Sequence, residues 1–133
     1  MVRYDPKHNP RQRRSPTPRP DFAVFKQRQL IALLDAKYRD LWEKSLPRDM
    51  LYQLVVYAIS QAARPVSSII YPSASKGAIE SRIDVRDPVT QRRIGQVRLL
   101  PIDLVKVERL IRDGNATARI ELQTEAERIA SLL

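Results

Sequence analysis

An α/β fold, with a central mixed β-sheet and flanking helices, is predicted by two observations. Short runs rich in β-forming residues alternate along the chain with stretches that repeat apolar residues at helical spacing. With 43% hydrophobic residues in 133, the chain is long enough for one core and too short for two domains of ordinary size.

Residues 1–20 stand apart. Five of the ten prolines lie there, at positions 6, 10, 16, 18 and 20, so this basic, Pro-rich segment is expected to be loop-like, with at most a short strand near residues 2–4. The same prolines forbid the amphipathic helix of a mitochondrial presequence. The folded domain is expected over residues 21–133. Residues 22–25 and 30–34 read as two strands of a hairpin joined through 26–29, the second continuing through Asp35, Ala36, Lys37 and Tyr38.

A helix follows at about 48–63. Pro47 suits its first turn, Asp49 favours the positive end of its dipole, and Leu51, Leu54, Val55, Ala58, Ile59 and Ala62 form one buried face. Pro65 should stop it. Residues 66–71 read as a strand ended by Pro72, residues 73–77 as a loop, and 79–99 as two strands joined around Asp87-Pro88. Asp103 can cap a helix whose apolar face is Leu104, Val107, Leu110 and Ile111, with Gly114 ending it. Residues 116–122 read as a last strand leading to a short terminal helix.

Twenty-four Lys and Arg against fifteen Asp and Glu give +9 and favour a polyanionic partner. Six of those cations, Arg3, Lys7, Arg11, Arg13, Arg14 and Arg19, precede residue 21 with Asp5 as the only counter-charge. The absence of cysteine and the single His8 exclude disulfides, thiol nucleophiles and Cys/His metal sites, so metal chemistry must run on oxygen ligands, which suits Mg²⁺ or Mn²⁺. No apolar stretch approaches the ~20 residues of a membrane span, and no secretory signal is visible. A cytoplasmic protein without membrane contact is expected.

Three pieces with chemical potential occur in one order: Pro20-Asp21 at the start of a strand, Asp35-Ala36-Lys37 at the end of the next, and Gln53 with Tyr57 on the following helix. Alternation along a strand sends Asp35 and Lys37 to one face, and Asp21 on the neighbouring strand can reach the same end of the sheet. Two converging carboxylates make a hard-cation site, and a lysine beside them can stabilise negative charge developing on a phosphate. Gln53 and Tyr57 are neighbours one helical turn apart. Singly, each piece has a bland alternative: a turn for Pro-Asp, a solvated strand end for DxK, a half-buried core aromatic for Tyr57. Arg92-Arg93 and Arg11, Arg13, Arg14 and Arg19 are the candidates for phosphate contacts, whereas Trp42 and Phe25 read as packing residues.

In this order the segments RPDFAVF, LIALLDAKYRDLW, DMLYQLVVYA and SSIIYPS resemble the PD-(D/E)xK nuclease superfamily, in its RecB-like branch with a QxxxY helix, and within it the nuclease region of the McrC-like family. The resemblance covers residues 19–73. It implies a restriction-endonuclease-like core and a Mg²⁺ (or Mn²⁺) site made by Asp21, Asp35 and the carbonyl of Ala36. It also implies that Lys37 assists the attacking water and that Gln53 and Tyr57 support the site or contact DNA. The implied activity is DNA endonuclease in a restriction system, with an McrB-like nucleotide-hydrolysing partner and with a homodimer as one open oligomeric state. The alternative is a catalytically inactive nucleic-acid-binding or assembly module of the same fold.

One departure shapes these expectations. Such nucleases place an acidic residue on a helix before the first core strand, and residues 1–20 hold no Glu and no helical pattern. The expectation is therefore a core lacking its first helix, with a fragment of a longer protein favoured over a helix supplied by a partner or a site that binds metal poorly and is inactive.

Overall fold

The structure, a computed structural model, describes residues 3–132. In chain order, β1 (Phe22–Lys26) and β2 (Gln29–Ala36) form a hairpin, and α1 (Arg48–Ile59) crosses to β3 (Val66–Ser73). A second hairpin, β4 (Ser81–Arg86) and β5 (Arg93–Asp103), is followed by α2 (Leu104–Asp113) and α3 (Ala116–Leu132). The sheet order is β1-β2-β3-β5-β4, with β2, β3 and β5 parallel and the two outer strands antiparallel to their neighbours. The expected α/β class with a mixed central sheet is present.

The first hairpin turns on Gln27 and Arg28, both at positive φ (49° and 65°), the two-residue geometry that matches strand twist. The link is thus shorter than the four residues expected. Val24 faces Ala32 while Phe25 faces Leu30, so Ile31 is an extra, bulged residue in β2.

Helix α1 ends at Ile59, short of the expected residue 63. The buried Gln61 donates its side-chain amide to the carbonyls of Tyr57 (3.3 Å) and Val66 (2.6 Å), and Ser60 Oγ donates to Tyr57 O at 2.9 Å. These bonds turn the chain toward β3 before Pro65 can act. The buried face is also rotated from the expected one: Leu54, Tyr57 and Ala58 are buried, Ile59 is half exposed, and Ala62 lies beyond the helix.

Strand β3 runs through Pro72, which the sequence reading took as its end. Ile70 O accepts from Lys37 N, so alternate residues of β3 present their backbone groups toward β2; at Pro72 β2 has already finished, and no N–H is needed there. Strand β4 begins at Ser81 and leaves Ile79 exposed. The β4–β5 turn falls at Asp87-Pro88 as expected, with Asp87 Oδ1 accepting from Val89 N (2.9 Å) and Thr90 N (2.7 Å).

Asp103 caps α2 by accepting from Lys106 N at 2.9 Å, and Gly114 ends it at φ 60°, both as expected. The strand expected at residues 116–122 is instead the start of a 17-residue helix, α3, capped by Asn115 through Ala118 N at 2.8 Å. Its less exposed residues, Ala118, Leu122, Glu125, Ile129 and Leu132, recur at helical spacing.

One face of the sheet packs on α1 through Leu54, Tyr57, Ile69, Tyr71, Val97 and Leu99, with Leu41 closing its edge. Gly95 permits the closest approach: a Cβ there would meet the Pro65 carbonyl at 3.3 Å and Ala58 Cβ at 3.5 Å. The other face carries a smaller cluster, Ala32, Leu34 and Leu100, covered by Ile129 and Leu132 of α3. Trp42 and Phe25 join neither cluster and are 41% and 62% exposed, against the packing role read for them. The neighbouring Leu41 is buried in the core instead.

Before β1 the described residues contain a single 3-10 turn, Pro6–His8, and no strand at Arg3 or Tyr4; Val2 lies outside the described residues. Asp5 caps that turn through Lys7 N at 2.8 Å and meets His8 Nδ1 at 2.9 Å, while Tyr4 N donates to Ser15 Oγ at 2.9 Å. No helix among the described residues is long and apolar enough to cross a membrane.

Candidate active site

The bulge at Ile31 decides which residue stands beside Asp35. Beyond the bulge Phe22 faces Leu34, and one further step along the same register sets Asp21 against Asp35. Two hydrogen bonds lock the pair: Asp21 N donates to Asp35 Oδ1 at 3.2 Å, and Ala36 N donates to Asp21 Oδ2 at 2.9 Å. Lys37, two residues beyond Asp35 and on its face, completes the group. Its Nζ lies 3.3 Å from Asp35 Oδ2 and 3.9 Å from Asp21 Oδ2. The three residues expected to act together are therefore in contact, at the C-terminal end of β2 on the α1 side of the sheet.

Their surroundings differ. Asp35 is 1% exposed, whereas the Asp21 and Lys37 side chains are partly open to solvent. A buried carboxylate needs a counter-charge or donors, and Asp35 has both in Lys37 and the Asp21 N–H. From α1, Gln53 Nε2 donates to the Tyr57 hydroxyl at 2.5 Å, which leaves the phenolic proton free to be donated. Burial pushes the Tyr57 pKa above its usual value; the Gln53 hydrogen bond opposes this, and the negative charges of Asp35 and Asp21 add to it. Tyr57 is thus a neutral donor whose titration feels both carboxylates. It is also a core residue, 3% exposed, as the packing reading of this tyrosine expects.

The oxygens gathered here are hard donors: two carboxylates, plus the Ala36 carbonyl, which strand geometry sends to the same side as the Ala36 N–H bound by Asp21. Among the described residues no group of three or more His, Cys, Asp or Glu side chains is placed to hold a metal ion. A set of two carboxylates fits Mg²⁺, which keeps several waters and takes its remaining ligands from substrate phosphates, better than a cation that needs a full protein cage.

Asp40, which the sequence reading did not single out, braces the same end of the sheet. Ser73 Oγ donates to its Oδ2 at 2.8 Å, and Trp42 N to its Oδ1 at 2.9 Å, tying the loop after β2 to the end of β3. Although desolvation opposes it, these bonds hold the Asp40 pKa below its usual value. The link joins residues 33 apart and leaves no local sequence signal.

Among the described residues none of the arginines singled out from sequence forms an ion pair with Asp21 or Asp35. Arg11, Arg13, Arg14 and Arg19 are exposed on the N-terminal segment, where the Asn9 side chain bonds both the N–H and the carbonyl of Arg13 at 2.9 Å. Arg92 and Arg93 sit at the β4–β5 turn, at the opposite end of the sheet from Asp35. Compared with known proteins, the chain matches no family model, no curated protein and no solved structure.

Proposed function

We propose that this chain is a Mg²⁺-dependent (or Mn²⁺-dependent) DNA endonuclease domain of the PD-(D/E)xK kind, with a restriction-endonuclease-like core. We further propose that it acts in the cytoplasm in an McrC-like restriction role beside an McrB-like nucleotide-hydrolysing partner. The observation that carries this reading is the contact of Asp21, Asp35 and Lys37 at one strand end, with Asp35 buried. Asp21, Asp35 and the Ala36 carbonyl would hold the cation. When bound, Mg²⁺ polarises a phosphate and lowers the pKa of water. The Lys37 ammonium, held by both carboxylates, orients the attacking water and stabilises charge accumulating on the phosphate oxygens. Gln53 fixes the Tyr57 hydroxyl, near enough to feel the charge of both carboxylates, where the pair would support the site or contact DNA.

The test is cleavage of supercoiled plasmid by the purified chain with Mg²⁺ or Mn²⁺. Nicking is expected, with a loss of roughly 100-fold or more in Asp35→Ala and in Lys37→Ala. Absence of metal-dependent cleavage, or full activity in both variants, would sink the catalytic assignment.

A second reading, a catalytically inactive nucleic-acid-binding or assembly module, is favoured by the lack of a third acidic ligand among the described residues. It requires salt-sensitive DNA binding unchanged by EDTA, and no cleavage at any metal concentration.

A further inference from the structure

Helix α3 covers only part of its face of the sheet. Ile129 and Leu132 pack on the cluster of Ala32, Leu34 and Leu100, and the Arg98 guanidinium donates to the Leu132 carbonyl at the border. Beyond that border the same face turns from apolar to basic. Arg82 and Arg98 are register partners on β4 and β5, so their side chains project side by side. Arg64, from the loop after α1, and Arg93, from the start of β5, line the same groove.

Acidic groups do not balance these cations. Glu80 accepts from Arg82 at 2.8 and 3.1 Å and lies 3.9 Å from Arg98 Nε. Asp84 pairs with Arg86 at 3.1 Å and reaches Arg93 at 3.9 Å. Four guanidiniums thus share two carboxylates, and a fifth, that of Arg64, has no acidic partner among the described residues. Partial burial lowers the Arg98 pKa, and the nearby charges of Arg82 and Arg64 lower it further while Glu80 opposes them. Like charges held together in a concavity are relieved by a bound anion. A planar guanidinium fork matches phosphate oxygens two at a time.

This groove is separate from the carboxylate site. Asp35 lies level with Leu99 across the sheet, and Arg93 is six residues earlier on β5, roughly 20 Å along the strand. Arg82 and Arg98 also project to the face opposite Asp35 and Lys37. We infer that the Arg64–Arg82–Arg93–Arg98 groove is a second DNA-contact surface that holds backbone phosphates independently of the metal site. The inference rests on DNA being the partner proposed above.

The test is fluorescence anisotropy of a labelled duplex in EDTA, across a salt series, with the full chain. Each phosphate contact adds about 0.9 to the slope of log K against log salt, so the double variant Arg64→Ala, Arg93→Ala should lower the slope by about 1.8. Both side chains are exposed, and unchanged thermal melting checks that the fold survives. A control that removes the same charge from the outer helices, Arg109→Ala with Arg119→Ala, should leave the slope within about 0.5 of the unaltered chain, because screening cuts off distant charges. Arg64→Lys with Arg93→Lys should keep the slope. If the unaltered chain does not bind the duplex, the DNA reading fails and the groove with it. If it binds but the groove variant matches the outer-helix control, only the groove assignment fails.

Discussion

On one side of the sheet α1 covers Ile69, Tyr71, Val97 and Leu99 so completely that none is more than 7% exposed. On the other, α3 shields Ala32, Leu34 and Leu100 and then gives way to arginines. The two faces accommodate charge by different physics. The sealed face admits a carboxylate only at its rim, where Lys37 and the Asp21 N–H compensate the lost hydration of Asp35. The half-covered face keeps its guanidiniums partly wet, which lessens but does not remove the cost of crowding several around Glu80 and Asp84. A single sheet thus holds an acidic pocket and a basic groove without either neutralising the other.

The contrast is broken most severely by removing packing. Leu54→Ala, at a position with no exposure, should cost about 2 to 5 kcal/mol in urea unfolding, whereas Ile129→Ala on the other face should cost roughly 1 kcal/mol. Equal losses would show that α3 seals its face as tightly as α1. Gly95→Val comes next: the added side chain meets the Pro65 backbone carbonyl, which cannot swing aside, and about 1 to 3 kcal/mol should be lost along with the Gln96 N to Pro65 O bond at 2.8 Å.

The gentlest probe is pH. Burial raises the pKa of Tyr57 and Tyr71, both on the α1 face, so the stability they confer is complete below their unfolded value of about 10 and is lost as pH climbs through the folded values. Hydrogen bonding lowers Glu80 and Asp84 on the arginine face, so their contribution is present above about pH 4 and disappears as pH falls through the folded values. Melting temperature across pH should therefore fall at both extremes. Tyr57→Phe with Tyr71→Phe should flatten only the alkaline limb and Glu80→Gln only the acid limb; a variant that moves the other limb would show that the faces are electrostatically coupled.

Local signals were legible where the physics is local. Asp103 and Gly114 bracket α2 because a cap needs only its own helix, and Asp35 and Lys37 share a face because strands alternate. The segment at 116–122 reads as a strand from a few alternating residues, yet its buried positions follow a helical repeat fixed by contact with the sheet. The end of α1 depends on Gln61 reaching Val66, and Leu41 rather than its neighbour Trp42 enters the core; both are outcomes of packing. At the carboxylate site, the residues could be named from sequence but not the bulge that aligns them. The arginine groove was illegible beyond Arg93, since its members come from a loop and two strands that only the sheet order unites.

A two-residue turn joins partners whose numbers sum to an odd value, so every pair in an unbroken hairpin closed by Gln27 and Arg28 combines an odd position with an even one. Asp21 and Asp35, fourteen residues apart, have the same parity and could never face each other across it. Ile31 supplies the single residue that changes the parity. Were Ile31 paired instead of bulged, Asp21 would stand against Leu34, on the side of the sheet that α3 covers. The meeting of the two acids is thus a matter of counting, and an insertion or deletion of odd length between them that leaves the turn and the bulge in place undoes it, however well the remaining residues are kept.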